Sequence, residues 1–199
     1  MPPLRRADLD PDPIAQFAAW FAIAEREAPL PEAITLATVD ADGEPDARMV
    51  LLKGVDAEGF RFFTNYESAK GAQLGAGAGA ALVVYWRELD RQVRVRGTVE
   101  RLDDADSDAY FATRSRDSQL GAWASPQSRP LDSRAELDRR LRAAQERFAD
   151  RDVARPAQWG GYLVRPLAIE FWQGQVGRLH DRFRYSRSDG GWRIERVAP

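Results

Sequence analysis

Short apolar runs of alternating pattern dominate this chain, and each is closed off by a turn signal before it grows long. Ile34 to Val39 ends at Asp40-Ala-Asp-Gly43, Arg48 to Lys53 follows, and Asp56-Ala-Glu-Gly59 leads into Phe60 to Thr64. Ala80 to Trp86 and Gln92 to Glu100 flank the Arg87-Glu-Leu-Asp90 connection. Gly161 to Trp172, Arg182 to Ser186 and Trp192 to Val197 complete the set, with Ser188-Asp-Gly-Gly191 turning between the last two. Short antiparallel strands at this spacing predict a mainly β fold, a closed or half-closed barrel decorated by helices.

The helical signals are fewer. Asp12 as N-cap with Pro13 behind it starts an amphipathic helix. Ser68 to Leu74 is short, and Asp104 to Arg114 carries acids in its first turn and a base in its last. Asp132 to Phe148 places Leu137, Leu141, Ala144 and Phe148 on one stripe. Gly75-Ala-Gly-Ala-Gly79 reads as a loop without the lysine and hydroxyl of a Walker phosphate loop. Pro126 to Pro130 and Arg151 to Pro156 read as loops, so one domain is expected over 1–199: an N-terminal arm and helix over 1–30, then a barrel with inserted helices over 31–199.

Charged residues make up 30% of the chain with a net charge of −2, so no global field draws it to nucleic acid or an anionic membrane. The absence of cysteine excludes disulfides, thiolate metal sites and thiol catalysis, and the single histidine leaves no partner for a metal site. Phe17 to Ala24 is too short to span a bilayer and does not follow a basic segment, so a soluble, cytoplasmic protein is expected. Of 29 basic residues only Lys53 and Lys70 are lysine. Base composition explains such a skew simply, but it also marks places where a compact ammonium fits and a planar fork does not.

Several clusters could hold anions. Tyr110, Arg114 and Ser118 are spaced i, i+4, i+8, so on a helix running past Arg114 they share one face of hydrogen-bond donors. By spacing alone, an exposed face with an incidental arginine is the simpler account. Arg48 and Lys53 are five positions apart on a strand and point to opposite faces, serving two ligands or two parts of one. Thr64, Ser68 and Lys70 surround a helix start, a natural anion site or an ordinary cap. Gln92, Arg94 and Arg96 alternate with Val93 and Val95, as a plain solvent face also would. Around the lone histidine, in GQVGRLHDRFRY, an extended chain puts Arg178, His180 and Arg182 on one face with Asp181 pointing away. That set fits a planar anionic ligand better than a hydrolytic nucleophile.

The segments RMVLLKG, FFTNYESAKG, RQVRVRG, YFATRSRDSQLGAWASPQS, WGGY, IEFWQG, RLHDRFRY and ERVAP, in this order from about Asp12 to Pro199, resemble the pyridoxamine 5′-phosphate oxidases. The resemblance implies an FMN-binding split barrel of Greek-key antiparallel strands, working as a homodimer with FMN at the interface. It implies oxidation of pyridoxine 5′-phosphate or pyridoxamine 5′-phosphate by O2 to pyridoxal 5′-phosphate and hydrogen peroxide. By position, FMN falls to Arg48, Met49, Val50, Leu51, Leu52, Lys53, Phe63, Thr64, Lys70, Gln92, Gln127, Ser128, Trp172 and Arg182. The substrate phosphate falls to Lys53, Tyr110, Arg114 and Ser118, and the pyridine ring to Arg178 and His180, with Arg178 as the main catalytic group. The chain departs from the family pattern at Ala69, where arginine is common, and at Phe63, where tyrosine is. A phenazine-type oxidase of the same superfamily and a non-catalytic binder of FMN or pyridoxal phosphate are the alternatives.

Overall fold

Asp12 accepts a hydrogen bond from the Ile14 N–H at 3.0 Å, and Pro13 sets the first turn of α1 (Pro13–Glu27), as the sequence predicts. The computed structural model describes residues 2–77 and 79–199. After α1 come β1 (Ala33–Val39), β2 (Pro45–Asp56), β3 (Gly59–Asn65), α2 (Ala69–Gly75), β4 (Ala80–Trp86) and β5 (Arg91–Arg101). Three helices follow, α3 (Asp104–Ala112), α4 (Arg116–Ala124) and α5 (Arg134–Arg147), and then β6 (Trp159–Gln173), β7 (Asp181–Ser188) and β8 (Gly191–Arg196). The loop expected over Gly75–Gly79 begins one residue late, since α2 includes Gly75; Ala78 lies outside the described residues. No described helix is long and apolar enough to cross a membrane.

The strands are antiparallel in the order β3-β2-β1-β4-β5-β6-β7-β8, and β6 makes this sheet a split barrel. Its first half, from Trp159 to Val164, pairs with β3 and closes six strands into a ring. Its second half, from Ala168 to Gln173, leaves β3 and pairs instead with β7, which carries β8 outward. Between the halves sits Pro166, opposite Gly97 at a register shift in β5. A Cβ on Gly97 would come within 2.0 Å of the Arg165 carbonyl, so glycine is what lets the two strands pass at the split.

Alternation along the strands fills the ring. Leu36, Phe62, Val164, Ile169 and Phe171 are wholly buried, each stabilising the fold by roughly 1.5–3 kcal/mol. Helix α1 stops the barrel with Phe17, edge-on to Phe60 at 5.0 Å, and Trp20, edge-on to Phe171 at 5.2 Å. A smaller core of Phe111, Leu120, Ala144, Phe148, Val153 and Trp159 holds α3, α4 and α5 against the barrel wall.

Three sequence expectations change. The helix expected over Asp104–Arg114 ends at Ala112, and Ser115 caps a separate α4, accepting from the Ser118 N–H. The pairing of β2 with β3 jumps from Leu52 to Gly54, so Lys53 sits on a bulge instead of in a regular ladder. Arg178 lies in a 3-10 turn (Val176–Arg178) with φ of 62°, and the strand begins only at Asp181. Arg178, His180 and Arg182 therefore do not alternate along one strand face, because the chain is not yet extended at Arg178.

Candidate active site

A cavity of about 460 Å³ lies between the β2–β3 wall and the start of α4. Tyr110, Arg114 and Ser118 all line it, although two helices and a break carry them where one helix is predicted. The break improves the arrangement. It adds Ser115 to the lining and sets the start of α4 beside the cavity, with the Ser118 N–H donating to the Ser115 hydroxyl. Ser115 donates its hydroxyl to Ser118 at 2.9 Å, and Lys53 reaches the cavity from the bulge.

Arg114 is the most telling residue here. Its guanidinium lies 4.6 Å over the Trp159 ring and 5.5 Å from Phe111. Trp159, Phe63 and Tyr110 form a stack beside it, with Phe63 and Tyr110 only 3.9 Å apart. The Arg114 Nη1 is buried and has no hydrogen-bond partner among the described residues. Burial holds the Arg114 pKa below its ordinary value, partly offset by Tyr110, while burial pushes the Tyr110 phenol up and keeps it a donor. The guanidinium as a whole is half-buried, and a donor left dry and unpaired at its edge favours an acceptor in the cavity. The donors around it, a phenol, hydroxyls and an ammonium, are those a phosphate's oxygens require.

A second cationic group borders the same cavity near α2. Lys70 Nζ donates to Gln127 Oε1 at 3.0 Å, and the Thr64 hydroxyl donates to the same oxygen at 3.2 Å. Burial, and then the neighbouring Arg48, hold Lys70 below its ordinary pKa, and an anion beside Lys70 would oppose both effects. Arg48 does not line the cavity: it donates to Thr38, Asp46 and, at 2.8 Å, Gln73. Ser128 follows Gln127 with a φ of 70°. Met49, Val50 and Leu51 line the cavity, whereas Leu52 does not: its side chain is in the barrel core.

The remaining predicted residues gather elsewhere. Gln92, Trp172 and Arg182 form a cross-strand row on β5, β6 and β7. His180 packs against Trp172 with ring centroids 4.6 Å apart, and Arg178 is exposed at the tip of the connecting hairpin. Arg182 pairs with Glu170 at 3.0 Å and donates to the Ala198 carbonyl at 2.8 Å. None of these five lines the cavity. Ser115 and Trp159, which do, were not assigned from sequence. Their signals were present: Ser115 precedes a helix-compatible run as an N-cap, and Trp159 opens the WGGY segment.

Known proteins resemble this chain along nearly its entire length. A family model described as pyridoxamine 5′-phosphate oxidase matches residues 23–148, and one described as the pyridoxine 5′-phosphate oxidase C-terminal dimerisation region matches 159–199. The chain belongs to the pyridoxamine 5′-phosphate oxidase family. Among its family members, the pyridoxine/pyridoxamine 5′-phosphate oxidase of Salinibacter ruber is 55% identical over 98% of this chain and 93% of the relative. That of Rubrobacter xylanophilus is 56% identical over 96% of this chain and 88% of the relative. The solved structure of PhzG from Burkholderia lata 383, in complex with tetrahydrophenazine-1-carboxylic acid, superposes with a TM-score of 0.92 at 29% identity, covering 100% of this chain and 99% of that one. A pyridoxamine 5′-phosphate oxidase-related, FMN binding protein of Nostoc punctiforme, at 20% identity and a TM-score of 0.72 over 92% of this chain and 96% of that one, shares the fold. In this family member the dimerisation match covers β6, β7 and β8, the strands that carry Trp172 and Arg182.

Proposed function

We propose that this chain is a pyridoxine/pyridoxamine 5′-phosphate oxidase, an FMN-dependent enzyme that converts either substrate to pyridoxal 5′-phosphate with O2 as acceptor. The single observation that carries the substrate class is the buried, unpartnered Nη1 of Arg114 among Lys53, Tyr110, Ser115 and Ser118. A phosphate there neutralises the cation, uses the α4 N-terminus and leaves the attached ring to extend along the cavity.

The residues fit FMN. Lys70, Thr64 and Gln127, which line the cavity, would hold the cofactor phosphate, with Arg48 close behind Lys70 and Ser128 next to Gln127, and Met49, Val50, Leu51 and Lys53 would form the wall along which a flavin lies. Ala69 brings no cation to the start of α2, so charge on that phosphate falls to Lys70 and Arg48. Losing one charge-assisted hydrogen bond weakens binding by roughly 1.5–3 kcal/mol. When bound, FMN supplies a two-electron acceptor for the hydride from substrate C4′ and passes the electrons to O2, giving hydrogen peroxide. The protein's part is position and field. The phosphate clamp fixes one end of the substrate, and Arg178 and His180 press its ring into a near-attack geometry and stabilise charge at the C4′ substituent. The amine product, an imine, hydrolyses to aldehyde and ammonia; the alcohol gives the aldehyde directly.

Within one chain, Arg178 and His180 do not line the clamp's cavity. A homodimer in which each site draws on both subunits brings the halves together. The exposed Met49, Leu51 and Tyr85 on the outer barrel face support this, since apolar side chains 61%, 45% and 53% exposed favour a covering partner. A phenazine-type oxidase has the same fold, as the PhzG superposition makes plain, but a substrate without phosphate has no use for Arg114 and its neighbours. A non-catalytic carrier binds the same ligands and forms no product. Comparing turnover of phosphorylated and unphosphorylated pyridoxine separates the readings: only the first is oxidised efficiently if the clamp holds phosphate, and equal rates contradict it.

A further inference from the structure

The hairpin between β6 and β7 is tied at its root by a carboxylate that the chemistry above does not use. Asp181 is only 6% exposed and accepts three hydrogen bonds from three parts of the chain. Arg196 Nη1 donates to Oδ1 at 2.6 Å, while the Leu4 N–H and Gln175 Nε2 each donate to Oδ2 at 2.9 Å. The N-terminal arm is drawn in further by Gln173, which donates to the Pro2 carbonyl at 2.7 Å. Asp181 thus joins both ends of the hairpin, at Gln175 and at itself, to β8 and to the arm.

The other end of Gln175 touches the imidazole. Its backbone N–H donates to His180 Nδ1 at 3.2 Å. A backbone N–H only donates, so Nδ1 must present its lone pair and the neutral ring carries its proton on Nε2. Nε2 has no partner among the described residues and is the edge left to meet a ligand. The hairpin tip needs such a root. Gly177 and Arg178 both have positive φ, 71° and 62°, and a non-glycine residue stays in that region only where its surroundings over-determine it. Val176 and Leu179, 96% and 72% exposed, give the tip no packing of its own.

We propose that Asp181 and Gln175 are positioning residues: Asp181 holds the Gln175 side chain, and Gln175 fixes His180 as the Nε2–H tautomer while the same clamp sets the Arg178 conformation. The inference rests on the proposed oxidase only for what the imidazole does, not for how it is held. The chain has one histidine, so 15N-histidine labelling of the FMN-loaded protein gives a single imidazole signal. Above the histidine titration range, wild type should show a protonated Nε2 and a bare Nδ1, with roughly tenfold or greater excess of that tautomer, the value of about one hydrogen bond. Gln175→Ala keeps the backbone N–H and removes only the side chain that Asp181 holds, so the tautomer excess should fall without vanishing as the N–H loses its anchor, and kcat should fall by up to about tenfold, with KM and FMN content unchanged. Asp181→Asn should do the same and also loosen the N-terminal arm. An Nδ1–H tautomer in wild type overturns the clamp, and a ratio unchanged in both Gln175→Ala and Asp181→Asn overturns the part given to the two side chains. A lost tautomer preference with unchanged kcat overturns its role in turnover. If wild type forms no pyridoxal phosphate, the functional reading fails, while the spectrum still decides the clamp.

Discussion

The cavity beneath α3 and α4 and the hairpin that carries Arg178 are built in opposite ways. The cavity's cations stand on packed aromatic walls. Phe63, Tyr110 and Trp159 are stacked, Arg114 lies on Trp159, and the second core fixes both helices. The hairpin has a bonded root at Asp181 and a tip with nothing packed around it. On the proposed function, the difference follows from what each recognises. A phosphate is a fixed, charged shape, best met by preformed donors in a place poor in water. On the proposed function, Arg178 and His180 face the substrate ring and need cover from a second surface, which in an isolated chain is solvent.

The contrast can be broken in four ways, of decreasing size. Trp159→Ala removes the ring under Arg114 and a member of the second core, so stability should fall by about 3–5 kcal/mol, measured by denaturant unfolding. A loss below about 1 kcal/mol, the range of ordinary surface changes, would mean that the cavity walls are not rigid. Arg178→Ala should leave FMN bound and the fold intact while kcat drops by roughly a hundredfold to a thousandfold. Unchanged turnover would remove Arg178 from the chemistry.

Arg114→Ala should raise KM for the phosphorylated substrate by roughly tenfold to a hundredfold, with kcat less affected, because the lost bonds are made in ground and transition states alike. An unaltered KM would separate the clamp from phosphate. The smallest effect is acid sensitivity. Burial pushes the Asp181 carboxyl up, but hydrogen bonds from Arg196, Leu4 and Gln175 outweigh it and hold the pKa below the ordinary 3.8. A depressed carboxylate pKa contributes stability that is complete above 3.8 and fades as pH falls through the lower folded value. Asp181→Asn should therefore cost about 1–3 kcal/mol near neutrality and flatten the stability profile in strong acid. A mutant profile that still falls like the wild type would place that acid sensitivity elsewhere.

What the sequence disclosed follows the range of the forces involved. Strands and turns were legible because alternation and Asp-Gly turn signals are local, and β4 runs from Ala80 to Trp86 as expected. The Tyr110, Arg114, Ser118 set was legible as a donor group but not as two helices. Thr113, Arg114 and Ser115 contain no proline or glycine, and the break comes from Ser115 bonding its own backbone three residues on. The bulge at Lys53 depends on register against β3, which no local pattern in RMVLLKG records. The hairpin reads as extended because the local pattern does not mark Arg178's positive φ, and the contacts at its root, from Asp181 to Leu4 and Arg196, join residues brought together only by folding.

The most direct test of the central claim, that the Arg114 cavity holds a phosphorylated substrate for oxidation, is aerobic incubation of the FMN-loaded protein with pyridoxine 5′-phosphate, following pyridoxal 5′-phosphate and hydrogen peroxide together. Formation of both in equal amounts, and far more slowly from unphosphorylated pyridoxine, is the expected result. FMN bound with neither product formed would contradict it.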